Sequence, residues 1–327
     1  MSAFKEKIAY IPGSIEQGGQ KIAVLGGDDR ENPLINYLLN ANYEVAIWAR
    51  DPQNLPEGSI FCQKAEEAFY GAQAVILPMP GVKNDGKLYS KSCGDCYLTE
   101  RDFGVLPEGT LILVGAASDF LKKTAEKYGL KLLPMVETDQ IAIPNAIPTA
   151  EGAISLAIAN SPIVLQDAKG IVLGFGRVGQ ALAPRLRALG MQVTISNRGS
   201  GRANLALQEG YSLLSWDQWQ NMVVDADYIF NTIPVKRPLL TASVLNNMKK
   251  TALILDLASA PGGTDFAAAK EKGITAILAS GLPGKYASQT AGEILTKVYP
   301  QILAEHFSQK EEQIAVNDNI LEIRKRK

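Results

Sequence analysis

A chain of 327 residues is longer than one hydrophobic core usually supports, so two domains are expected. Its 46% apolar and 20% charged residues are ordinary for a globular protein and exclude a disordered chain, and 33 basic against 34 acidic residues leave a net charge of -1 that offers nothing to nucleic acid. The first 20 residues hold no apolar run long enough for a signal peptide, and no segment approaches the roughly 20 uninterrupted apolar residues of a membrane helix, so a cytoplasmic protein with no membrane partner is expected.

In chain order, the apolar run at residues 21–27 predicts a strand closed by two glycines, and Leu34, Ile35, Leu38 and Leu39 give residues 31–40 helical spacing. The turn between them, Gly26-Gly27-Asp28-Asp29-Arg30, lacks the third glycine of a dinucleotide fingerprint. A helix N-terminus beside Arg30 at the end of a first strand suits a small carboxylate instead; a surface ion pair of Arg30 with Asp28 or Glu31 is the plainer alternative. Short apolar strands at 45–49, 74–77, 111–114 and 131–136, with a helix from Ser118 or Asp119 to residue 128, complete an α/β domain with a parallel sheet. Cys62, Cys93 and Cys96 are odd in number and sparse, which argues against a disulfide framework and fits a reducing compartment. The C-x-x-C of Cys93 and Cys96 lacks the helix start or further ligands that redox or zinc chemistry needs, so no metal is expected.

Pro148-Thr149-Ala150-Glu151 reads as a helix opening, with Thr149 as N-cap and Glu151 in the first turn, continuing to Ser161-Pro162 and joining a substrate-side domain, 1–148, to a second domain, 149–285. A strand at 171–173 then runs into Gly174-Phe175-Gly176-Arg177-Val178-Gly179, a helix at 180–189 and a strand at 191–196. In this G-x-G-x-x-G the first glycine permits the tight turn, the second lets backbone approach a pyrophosphate, and the third packs helix on strand, with phosphate on the helix N-terminus. The second strand ends in Asn197 and Arg198, followed by Ser200 and Arg202, where NAD sites carry an acidic residue. Guanidinium forks suit a 2′-phosphate, so NADP is the expected cofactor; a solvated basic loop is the alternative.

Strands at 228–233, 252–257 and 274–278 alternate with helices, which makes a second doubly wound parallel sheet and a cleft between two α/β domains. Thr232, Pro234, the loop holding Thr264, which can cap the next helix, and the loop holding Gly281 and Lys285 belong to the same sheet edge as the clamp. Pro184 is expected to kink the clamp helix. Residues 286–305 predict a long helix able to cross back to the first domain, and the tail from 308 reads as charged and mobile. The sole histidine, His306, reads as a surface residue of that helix, so neither domain body offers the histidine acid/base common in dehydrogenases of 2-hydroxy acids.

Five segments together resemble the A-subunit family of dipicolinate synthase: Gly26-Gly27-Asp28-x-Arg30, the run Asn145 to Gly152, the clamp, the run Leu255 to Phe266, and Gly281-Leu282-Pro283-Gly284 with Thr290-Ala291-Gly292. The resemblance spans about residues 21–305; residues 80–103 and the first 20 fall outside its pattern. It implies NADP-linked oxidation of a cyclic dihydro- or hydroxytetrahydrodipicolinate to pyridine-2,6-dicarboxylate, on a branch from lysine biosynthesis, with aromatisation as driving force. It also implies a partner, the flavoprotein-like B-subunit of dipicolinate synthase, and expression in the mother cell during sporulation. Candidates for holding the dicarboxylate are Arg30, Thr149, Glu151, Thr264 and Lys285, Arg30 first because its fork grips a carboxylate with two parallel bonds. No residue stands out as proton acceptor, and a homo-oligomer is neither required nor excluded. A shikimate-dehydrogenase-like oxidoreductase is a second reading, against which the first domain lacks the expected Lys and Asp pair. A non-catalytic NADP-binding regulatory protein fits an intact clamp equally well.

Overall fold

The computed structural model describes residues 19–325, which form two six-stranded parallel sheets flanked by helices. The expectation about the N-terminal segment falls almost wholly outside the described residues. The first half runs β1 (Lys21–Leu25), α1 (Glu31–Asn40), β2 (Glu44–Trp48), β3 (Ile60–Phe61), α2 (Ala65–Phe69), β4 (Ala74–Ile76), α3 (Glu100–Phe103), β5 (Leu111–Val114), α4 (Asp119–Lys127) and β6 (Lys131–Pro134). Helix α5 (Asp139–Asn160) leads into β7 (Lys169–Leu173), α6 (Arg177–Ala188), β8 (Gln192–Ser196), α7 (Ser200–Gln208), β9 (Ser212–Leu214), β10 (Tyr228–Asn231), α8 (Ala242–Leu245), β11 (Leu253–Asp256), α9 (Phe266–Glu271) and β12 (Thr275–Leu278). The chain closes with α10 (Leu282–Tyr286) and α11 (Ser288–Lys325).

The sheet orders are β3-β2-β1-β4-β5-β6 and β9-β8-β7-β10-β11-β12, so both halves are doubly wound in the same sense, as the alternation of strands and helices predicts. Strand order reverses between β1 and β4 and again between β7 and β10, and ligands of such sheets bind outside the carboxyl ends at these points. Strands β4, β5, β10 and β11 are buried along their whole length, which is why they read as short unbroken apolar runs and not as alternating patterns. Each sheet buries an apolar layer on both faces: Leu34, Leu38 and Tyr299 on one face of the first and Phe69, Phe103 and Leu121 on the other, then Leu182, Leu186 and Ala153 opposite Trp219, Val244 and Ala269 across the second.

Several local expectations need correction. Helix α5 begins at Asp139, not Thr149, and runs through Pro144 and Pro148. The Thr149 hydroxyl is therefore not a cap; it donates to the Asn145 carbonyl one turn back, at 2.8 Å. No segment is an uninterrupted apolar run of that length, and α5, which has the length and mean hydropathy, 1.3, of a membrane span, is broken by Asp139, Gln140, Asn145 and Glu151. Its Ala146, Ala150, Ala153 and Ala157 are buried, and the helix packs on α6, α10 and α11. Helix α6 continues through Pro184, and α11 continues through the stretch expected to be a mobile tail, as far as Lys325. His306 is buried on α11 against Phe307, because the helix lays this turn on the first sheet instead of exposing it. Cys93 and Cys96 are joined in a disulfide, and only Cys62, buried, is free. Asp265, not Thr264, caps α9, accepting from the Ala268 N–H at 3.0 Å.

Candidate active site

The register of β7 with β8 and β10 sets Leu173 beside Ser196 and Asn231, so the turn that follows β7 opens between the ends of three strands. Each clamp glycine there has its own physical reason. Gly174 adopts φ +94°, and a Cβ on it would lie 2.5 Å from the Thr232 hydroxyl. A Cβ on Gly179 would overlap the Gly174 carbonyl oxygen. A Cβ on Gly176 would meet nothing within 4 Å, so its missing side chain leaves space outside the protein, where a pyrophosphate would rest on the α6 N-terminus. Phe175 turns inward and is fully buried, edge-on to Tyr211.

The end of β8 is tied to this turn. The Phe175 N–H donates to Asn197 Oδ1 at 3.0 Å, Asn197 Nδ2 donates to the Gly199 carbonyl at 2.8 Å, and Arg202 Nη1 donates to the Phe175 carbonyl at 3.1 Å. Asn197 thus joins the clamp to the loop before α7, while Arg198 and Ser200 stand exposed beside it. Thr232 donates to the Leu173 carbonyl at 2.9 Å and fixes the first turn of the clamp from β10.

Beyond the clamp a cleft of about 700 Å³ separates the two halves. Of the residues singled out from sequence, Arg30, Thr149, Gly176, Arg177, Val178, Thr232, Gly281 and Lys285 line it. Asn145 and Leu257, from two of the segments that carry the resemblance, also line it, as do Tyr89 and Met79, which the sequence does not single out. Pro234, although exposed, is not part of this wall. Arg177 spans the cleft mouth: its Nε donates to Asp139 Oδ1 at 2.8 Å and its Nη2 to the Glu137 carbonyl at 3.0 Å, both at the start of α5.

Arg30 is neither a solvated partner nor a free fork. It is buried, and its Nε and Nη2 donate to Asp28 Oδ1 and Oδ2, each at 2.8 Å. Burial pushes the Asp28 carboxyl up, but the Arg30 guanidinium more than offsets this and holds it below the usual carboxylate range. Nor is the α1 N-terminus open to an anion, since Asp28 Oδ1 accepts the Arg30 N–H and Glu31 Oε2 accepts the Asp28 N–H. Burial and the neighbouring Asp28 raise the Glu31 carboxyl, while Arg50 Nη1 lies 3.5 Å from it. Even so, Arg30 lines the cleft, as Lys285 does.

Two further candidates lie off the cleft. Glu151 points to Arg185 on α6, with Nε to Oε1 at 3.4 Å. Thr264 is buried and donates to Asp256 Oδ2 at 2.7 Å, where the Gly263 N–H also donates, while Asn231 Nδ2 donates to Asp256 Oδ1. A buried carboxylate with this many donors folds the glycine-rich loop after β11. Asp256, Gly263 and Thr264 of the run Leu255 to Phe266 thus build the loop, while Leu257, Ser259 and Ala260 of the same run line the cleft. By contrast, segments far apart in sequence meet in space around Arg30: a Cβ on Gly284 would sit 2.7 Å from its Nε, and one on Gly292 would overlap its carbonyl.

Comparison with known proteins agrees with this geometry. Residues 21–136 match the family of the dipicolinate synthase A-subunit N-terminal domain, and residues 158–264 match D-isomer specific 2-hydroxyacid dehydrogenase, NAD binding domain. The second half is accordingly a nicotinamide-dinucleotide domain of oxidoreductase type. The chain is 35% identical to the dipicolinate synthase A-subunit of Bacillus subtilis (strain 168) over 88% of its own length and 97% of that protein. The crystal structure of the A-subunit from Bacillus halodurans superposes with a TM-score of 0.82 at 32% identity, covering 88% of this chain and 98% of that one. Its Bacillus subtilis counterpart superposes at 0.79 with 35% identity, covering 89% and 98%. With likeness of this extent across both halves and the cleft between them, the chain belongs to the A-subunit family of dipicolinate synthase.

Proposed function

We propose that this chain is the dehydrogenase component that forms pyridine-2,6-dicarboxylate from a cyclic dihydro- or hydroxytetrahydrodipicolinate, with NADP as cofactor. The observation that carries the reading is the convergence on one cleft of an open glycine clamp and a wall bearing Arg30 and Lys285. The clamp residues 174–179 and the α6 N-terminus would hold the pyrophosphate, with Asn197, Arg198, Ser200 and Arg202 around the 2′-phosphate. Bound there, the dinucleotide would supply a hydride acceptor, so that the dihydro ring loses a hydride and a proton and becomes aromatic, the hydroxytetrahydro form losing a water as well. The chain's own contribution would be to hold the ring: Lys285 and Arg30 would meet its carboxylates, with Asn145 and Thr149 lining the same cleft. The flavoprotein-like B-subunit is the partner, and the setting is the cytoplasm of a spore former's mother cell.

Purified chain, alone and with the B-subunit, is given fresh cyclic substrate with NADP or NAD while absorbance at the reduced-nicotinamide band is followed. The expected result is turnover with NADP, about tenfold or more above that with NAD at equal concentration, for the loss of a charge-assisted phosphate pair. Equal rates would remove the NADP preference, and no turnover in either mixture would leave a cofactor-binding regulatory protein.

A further inference from the structure

The loop after β4 places Tyr89 on the cleft wall with Arg30, Asn145 and Lys285. The loop is braced by paired backbone at Gly27 with Ser90, Val82 with Leu88, and Lys87 with Tyr97, so the ring is carried on ordered chain. Its hydroxyl donates to Asp28 Oδ2 at 3.2 Å. Asp28 can take no other part in that bond: its oxygens are both held by the Arg30 guanidinium, so it is an ionised acceptor with no proton to give. A phenol has a single proton. With that proton committed to a buried carboxylate, the oxygen has only its lone pairs left to offer, and Tyr89, 39% exposed as a residue, lines the cleft. At this point the wall accepts a hydrogen bond and does not give one.

We propose that Tyr89 is the specificity residue by which the cleft distinguishes the reduced ring from the aromatic one. Its phenol oxygen, oriented by Asp28 and Arg30, accepts a hydrogen bond from the hydroxyl of the hydroxylated ring or from a hydrogen on the ring nitrogen of a reduced ring that carries one, donors that pyridine-2,6-dicarboxylate lacks. This rests on the function proposed above and adds a selection rule to it: the substrate satisfies the acceptor, and the product leaves it unpaired and is released. Sites built to pair with a polar group reject an analogue lacking it more strongly than a size mismatch would.

The test uses the full chain loaded with NADP and two stable probes, piperidine-2,6-dicarboxylate, which carries a ring N–H, and pyridine-2,6-dicarboxylate, which carries none. Both are titrated by calorimetry into the parent and Tyr89→Phe, a change that removes only the hydroxyl. The parent should bind the piperidine probe more tightly. In the variant its Kd should rise about fivefold, the worth of one hydrogen bond, while that of the pyridine probe stays level or falls. A parallel rise for both probes, or no change in either, overturns the proposal, because general damage to the wall would weaken both. An NADP affinity within about twofold of the parent shows that the variant is folded; should it not fold, equal affinity of the parent for the two probes overturns the proposal and a preference for the piperidine probe supports it. Because these are equilibrium titrations, they read on Tyr89 even if turnover is absent, whereas turnover with parallel probe shifts would sink Tyr89 and leave the reaction standing.

Discussion

A side chain at Gly176 would project into open space, which separates this glycine from Gly174 and Gly179, where a side chain would strike Thr232 or the Gly174 carbonyl. Gly176→Val should therefore abolish dinucleotide binding, by about 100-fold or more in Kd, while leaving the melting temperature within ~2 °C of the parent. Fluorescence titration and thermal melts check both, and normal NADP binding would mean the phosphates lie elsewhere. The clamp is legible in the sequence because G-x-G-x-x-G encodes backbone geometry, and backbone geometry depends on neighbours along the chain. The role of Arg30 is only half legible. Its position at the end of β1 can be read from spacing, but the closure of its fork on Asp28, two residues earlier, depends on both side chains being buried by α10 and α11 from the far end of the chain. Tyr89 gives no signal at all, since a tyrosine in an irregular loop looks the same whether it faces water or a cleft.

Among the elements, the long central helix is the one on which the sequence misleads, and the cause is local. Proline lacks the N–H a helix needs and usually ends one, so Pro144 and Pro148 read as a boundary and Thr149 as a cap. In α5 both are tolerated because the helix is held from outside, wedged between α6, α10 and α11. Gly152 permits that wedge: a Cβ there would already lie 3.0 Å from the Leu282 Cβ. Helix α10 reads as a plain turn, being only five residues with Gly281 in the left-handed region. Its Gly284 presses on the Asp28 and Arg30 pair, where a new Cβ would lie 2.7 Å from Arg30 Nε and 2.9 Å from Asp28 Oδ2. Gly284→Val should accordingly lower stability by about 1–3 kcal/mol through overpacking, read from urea unfolding, and should leave NADP affinity within about twofold because the clamp rests on β7 and α6. Loss of NADP binding in that variant would show that the two sides of the cleft are not separable in this way.

At the scale of the whole molecule, two arrays of alternating strands and helices can be counted in the sequence, but the return of the chain to its beginning is a matter of packing. Helix α11 crosses the first sheet from the turn after β1, where Gly292 meets Arg30 and Pro33, toward the opposite edge. Ile294, Leu295, Val298, Tyr299, Leu303 and Phe307 enter the same apolar layer as Ile22, Leu34 and Leu38. His306 lies on this stripe, buried, with its Nε2 unpartnered among the described residues. Burial lowers its pKa from the usual value of about 6.5, and Lys131 and Lys310 lower it further, against a backbone hydrogen bond at Gln73 that acts the other way. Below pH ~6.5 the unfolded chain therefore binds a proton that the folded chain refuses, and stability falls as the pH drops through this window. Glu31 has the opposite sign: its raised carboxyl costs stability as pH rises above its unfolded value, equally in any His306 variant. Because His306 is the only histidine, the difference between parent and His306→Leu isolates its share. Urea unfolding at pH ~7.5 and pH ~5.5 should show the parent losing more stability than the variant, by a fraction of the ~1.4 kcal/mol per pH unit that a full proton would give. Equal losses would mean that α11 opens at this turn before the rest of the first domain unfolds, so that the histidine meets water in both states.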